Sequence, residues 1–185
     1  HITDIMSTNH YFLESKYLHY FFPETKPFLT KRLLSTIEKD IKNYIRNANS
    51  EEYFENNRKI GENDNYLEQL IRNDSIEDFI SHVNKTNKSL KKQIEPSIFE
   101  TNPYLLKNQI TLIEYAAFYG SIQIFKYLQL NDVDLNPNLW FCVIHSKNAE
   151  MIHVMEEIFP IKNDVFFNEC LIESIKCHHI DITNY

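Results

Sequence analysis

The feature that most constrains this chain is a helical pattern that returns on itself. Residues 67–83, 111–128, 138–155 and 169–185 each carry an apolar helical run, a short polar break and a second apolar helical run. The copies register with Asp74 opposite Gly120, Ser121 opposite Asn148, and Asn148 opposite His179, at offsets of 46, 27 and 31 residues. A unit this short cannot bury its own apolar face and has to stack on neighbours. The repeat therefore predicts helix pairs at 64–84, 111–130, 138–157 and 167–185. No strand is read anywhere, so the expected fold class is all-α.

Composition supports that reading mainly through what it removes. Only two glycines occur in 185 residues, Gly61 and Gly120. Phosphate loops, dinucleotide fingerprints and nucleophile elbows need clustered glycines, because backbone must approach a ligand or turn through positive φ. Tight two-residue hairpins are disfavoured for the same reason. A formal net charge of −7 repels phosphate backbones, so no nucleic-acid partner is expected. Lys85, Lys88, Lys91 and Lys92 are read as a solvated loop. Three cysteines, Cys142, Cys170 and Cys177, lie in apolar helical patterns and point to reduced thiols and a cytoplasmic setting. No apolar run approaches the roughly 18–20 residues that span a bilayer, and no signal peptide or membrane partner is expected.

Residues 1–60 read as a helical N-terminal region and 61–185 as the repeats, with an insertion at about 85–108. Residues 8–22 are aromatic-rich with helical spacing, and Pro23 and Pro27 break the pattern. Leu29, Leu33, Ile37, Ile41 and Ile45 then form an i+4 ladder, the mark of an amphipathic helix over 27–46. Residues 8–46 are expected to act as a helical cap on the first repeat. Ser50 is placed to cap a further short helix. Gly61, Glu62 and Asn63 read as a polar break, where Gly61→Val is expected to change little. The insertion holds Pro96, Pro103 and one apolar patch, Ile98-Phe99.

Residues 111–136, TLIEYAAFYGSIQIFKYLQLNDVDLN, resemble one ankyrin repeat without a gap. Thr111 stands at the helix-opening threonine, Ala116 and Ala117 at the paired alanines, and Gly120 at the turn glycine. Asp134, Leu135 and Asn136 close the unit. Thr111 can cap a short first helix, and Gly120 can take a left-handed conformation where the chain reverses. Leu112 and Glu114 replace the family's usual proline and histidine, which removes the histidine partner of the threonine. The stretches FFPETKP, IEPSIFETNP, TLIEYAAFYGSIQIFKYL and CLIESIKCHHIDI also resemble a large protist family of ankyrin proteins with a helical N-terminal domain of unassigned function. The resemblance implies an α-solenoid of stacked helix pairs, a last repeat cut short at Tyr185 and further repeats after it.

It also implies a function: binding another protein through a concave face. Family contacts fall on the two residues before the turn position. Carried over, these are Arg72 and Asn73, Phe118 and Tyr119, His145 and Ser146, and Lys176 and Cys177. Phe118 and Tyr119 are expected to stand at the surface, where aromatics serve as interface anchors. The alternative is a structural module that self-associates through its N-terminal aromatic helices. No enzyme activity, cofactor or metal is expected. Cys170, Cys177, His178 and His179, with Cys142 and His145 one repeat earlier, supply ligand types without zinc spacing. Glu156 and Glu157 read as solvated, and Trp140 as core.

Overall fold

The computed structural model describes residues 17–45 and 51–185. The aromatic pattern at 8–16 and the capping role of Ser50 lie outside the described residues. Those residues are helical with no strand; one isolated bridge joins Gln93 to Thr111. They divide into two compact units, one running to Asp64 and including Pro96–Gln109, the other made of Asn65–Glu95 and Ile110–Tyr185. The expected insertion is thus shared out: its first part belongs with the repeated helices, and from Pro96 it belongs with the N-terminal region.

In the first unit, a turn of helix, α1 (Phe22–Thr25), and a 3₁₀ turn at Lys26–Phe28 precede α2 (Lys31–Ile45). Pro27 sits in the 3₁₀ turn, so the long helix begins later than its apolar ladder suggests. Of that ladder, Ile37 and Ile41 are buried. They form a core with Phe54 of α3 (Glu51–Ile60) and with Phe99. Phe99 makes edge contacts with Tyr44 and Tyr53 at centroid distances of 5.8 and 6.1 Å. The apolar patch at Ile98-Phe99 therefore belongs to this core. Above it, the Asp64 carboxylate accepts hydrogen bonds from Tyr44 and Tyr53, both 2.6 Å, and from Ser97, 2.7 Å. Burial and the nearby Asp64 charge push both phenols well above their ordinary pKa. A short helix, α4 (Pro103–Lys107), capped by Asn102, completes the unit.

Gly61 departs from expectation. It is buried, at φ +72°, and its carbonyl accepts from the Thr101 amide and hydroxyl. A Cβ there would lie 3.1 Å from Thr101 Oγ1. The break is a built turn, so Gly61→Val is costly rather than silent.

The second unit holds four helix pairs. These are α5 (Tyr66–Arg72) with α6 (Ile76–Thr86), and α7 (Leu112–Tyr119) with α8 (Ile122–Leu130). Then come α9 (Leu139–Ser146) with α10 (Ala149–Ile158), and α11 (Asp164–Lys176) with α12 (Ile180–Asn184). Each first helix packs on its own partner and on the first helix of the next pair. Helix α7, between two neighbours, buries almost every side chain; Ala116 and Ala117 are fully covered, and their small size admits close backbone approach.

The turn inside every pair contains one left-handed residue, at the position the repeat register assigns: Asp74, Gly120, Lys147 and His178, with φ of 49°, 68°, 53° and 56°. At Asp74, Gly120 and His178 the residue's own amide and the one after it bond back to the helix end, closing its free carbonyls. At Lys147 the following amide goes instead to the Ser146 hydroxyl. The residue after the Gly120 turn and the residue after the Lys147 turn each reach back to the preceding pair. Ser121 donates to the Ile71 carbonyl and Asn148 to the Gly120 carbonyl. Asp74 adds a forward link, its carboxylate accepting from the Gln123 and Ile124 amides that open α8.

Thr111 caps α7 as expected. Glu114 accepts from the Thr111 amide and hydroxyl at 2.8 and 2.7 Å, completing a capping box. Glu68, at the same register position, accepts from the Glu95 amide at 2.8 Å.

Candidate functional site

The eight residues singled out from the sequence come together at the C-terminal ends of α5, α7, α9 and α11. Arg72 donates to the Tyr115 hydroxyl at 2.9 Å, and its guanidinium lies 5.8 Å from the Tyr119 ring centre. Tyr119 touches both Tyr115 and Phe118. Phe118 stacks on the His145 imidazole, centroids 4.9 Å apart and planes 23° from parallel. His145 then meets Glu173 and Cys177 of the last pair. The result is a continuous row of side chains crossing all four pairs.

Within that row the residues differ in what they offer. Asn73 and Lys176 are exposed, and Arg72, Tyr119, His145, Ser146 and Cys177 are half-buried. Phe118 is only 7% exposed, which corrects the expectation that it stands at the surface. Its ring is covered by His145 and Tyr119, so it supports the row from beneath. Ser146 is spent on the turn, donating to the Val143 carbonyl while accepting from the Asn148 amide.

The densest chemistry lies at the far end. Glu173 Oε1 accepts from His145 Nε2 at 3.0 Å, and Lys176 binds its other oxygen at 3.0 Å. Burial disfavours the Glu173 charge, but the hydrogen bonds from Lys176 and His145 outweigh it and hold the carboxyl below its ordinary pKa. Burial likewise holds His145 below the ordinary histidine value, against the pull of Glu173. The contact is thus a neutral imidazole N–H donating to a carboxylate. Cys177 Sγ lies 3.4 Å from His145 Nδ1 and 3.5 Å from Nε2. A sulfur equally far from both nitrogens sits on neither lone pair. Burial, with the Glu173 charge, pushes its thiol up to about 11. A thiolate nucleophile needs the opposite environment.

Sequence reasoning named His145 and Cys177 but not Glu173. The signal was present: Glu173 lies four residues before Cys177, on one helix face, and both face α9 once α11 stacks on it. Trp140 is buried as expected, its indole donating to the Phe159 carbonyl at 2.9 Å. Glu156 is less solvated than expected, accepting from Tyr185 and pairing with His153, both at 3.0 Å. No disulfide joins the three cysteines. Among the described residues, no helix is long and apolar enough to cross a membrane. Comparison with protein-family models, with curated proteins and with solved structures finds no match to this chain.

Proposed function

We propose that the chain is an ankyrin-type solenoid module that binds another protein in the cytoplasm, without catalysis. The observation that carries this reading is the row itself. Side chains from the two positions before the turn of successive helix pairs touch one another in order, from Arg72 through Tyr119, Phe118 and His145 to Cys177. Such a row presents aromatic and polar groups held rigid before a partner arrives, which lowers the entropic cost of binding. The left-handed residue recurring in register, the alanine pair of α7 and its capping box support the ankyrin assignment.

The burial of Phe118 changes the test. Phe118→Ala would damage folding, so the informative variants are Tyr119→Ala and Lys176→Glu, which alter half-buried and exposed positions. Each is used as bait beside the unmutated chain, with helicity checked by circular dichroism. Both should fold and lose a partner that the unmutated chain retains. Equal retention by all three folded baits rules out this face. The second reading, self-association through the N-terminal helices, draws on Phe21 and Phe28, 42% and 76% exposed. Light scattering tests it: a stable dimer dispersed by Phe28→Glu would favour it over partner binding.

A further inference from the structure

We propose that His145, Glu173 and Cys177 form a three-ligand site for a zinc-class divalent ion, with the fourth position open to water. It goes beyond the partner-binding reading and does not depend on it. One nitrogen, one carboxylate oxygen and one sulfur from these residues all lie within 4.8 Å of one another. The Nε2–Oε1 separation is 3.0 Å and Nε2–Sγ is 3.5 Å. Tetrahedral zinc, with bonds of roughly 2.0–2.3 Å to such atoms, spaces its ligands by about 3.3–3.6 Å. The nitrogen and carboxylate therefore need little movement. The sulfur lies over the imidazole ring, and rotation about the single Cα–Cβ bond of Cys177 is what brings it to the metal.

The surroundings fit a ligand shell. Phe118 stacks on the imidazole and fixes its plane. Lys176 binds the second oxygen of Glu173 and orients the carboxylate. Supports of this kind set ligand orientation in metal sites. The mixed nitrogen, oxygen and thiolate set favours zinc over magnesium or calcium, which take oxygen alone. On binding, the Nε2 proton of the neutral His145 imidazole moves to Nδ1, leaving Nε2 and the Glu173 carboxylate free to ligate, and the Cys177 thiol proton is released to solvent, so no oxidant or reductant is needed. The ion would join α9 to α11.

Cobalt(II) is the probe, since zinc is spectroscopically silent. Titrated into the reduced full chain, it should bind once, giving tetrahedral d–d absorption and a thiolate-to-cobalt charge-transfer band, both erased by added Zn²⁺. Cys177→Ser should abolish the charge-transfer band, whereas Cys142→Ser and Cys170→Ser should keep it. Lys176→Met should weaken affinity by about 10–100-fold, as loss of an outer support does. In the unmutated chain, Zn²⁺ should slow alkylation of Cys177, a readout that needs no variant. No charge-transfer band at saturating cobalt, a band that survives Cys177→Ser, or alkylation of Cys177 unchanged by zinc would each overturn the proposal.

Discussion

The two units reach a buried core by different routes. In the repeated unit, a side chain's partner is given by its place in the repeat. Ser121 bonds Ile71, and Asn148 bonds Gly120, because each position meets the preceding pair. In the N-terminal unit nothing recurs. Phe99 joins Ile37, Ile41 and Phe54 from distant parts of the chain, and Asp64 gathers Tyr44, Tyr53 and Ser97. The first arrangement distributes its stability over many similar contacts. The second concentrates it in one aromatic cluster and one carboxylate.

That contrast can be broken most sharply at Phe99. It is fully buried, and Phe99→Ala should cost about 3–5 kcal/mol. In chemical denaturation monitored by hydrogen exchange, the helices Lys31–Ile45 and Glu51–Ile60 should lose protection while 112–158 keep theirs; simultaneous loss in both regions would show the units to be one cooperative body. Next in size is Gly120→Val. A left-handed β-branched residue costs on the order of 1–3 kcal/mol, and its Cβ would meet Asn148 at 2.9 Å, adding a clash. Thermal melting should fall markedly. Gly61→Val, at φ +72° and 3.1 Å from Thr101, should fall too, by a comparable amount. A silent Gly61→Val would mean that the first unit tolerates a turn defect that the second does not.

Asp74→Ala removes the acceptor for two amides at the start of α8, and about 0.5–2 kcal/mol should go with it. The smallest effect has the opposite sign. Lys147 is exposed and left-handed, so Lys147→Gly should stabilise by about 1 kcal/mol, read as a raised melting temperature. If it destabilises, the turns of the repeat are not equivalent in the way their backbone angles indicate.

Much of the repeated unit was legible because helix periodicity and a turn residue are local signals. Gly120, the Thr111 cap and the register of Asp74, Lys147 and His178 all follow from short stretches of sequence. What escaped depends on residues brought together from afar. The hydrogen bonds to Asp64 span 11, 20 and 33 residues with no period to announce them. The polar spelling of Gly61-Glu62-Asn63 hid a turn closed by Thr101, 40 residues on. Phe118 was read as surface from its place in the family pattern, but His145 of the next pair covers it, and that stacking is a property of the stack and not of the motif. Glu173 was passed over because its role exists only where α11 meets α9.

The side chains that link each helix pair to the one before it have a further consequence under tension. Ser121 ties its helix pair to the one before it through Ile71, Asn148 ties the next through Gly120, and Glu173 ties the last through His145, while the chain between these links varies in length. A molecule pulled from its C-terminal end would load the His145–Glu173 link first and the Ser121–Ile71 link last. Helix pairs would peel away in sequence rather than together, each rupture releasing the slack wound between two left-handed turns. Between Gly120 and Lys147 that is 27 residues, about 90–97 Å of extended chain. Between Lys147 and His178 it is 31 residues, about 102–112 Å. The force trace of this chain would therefore be an uneven sawtooth, with tooth widths that read out the repeat spacing directly.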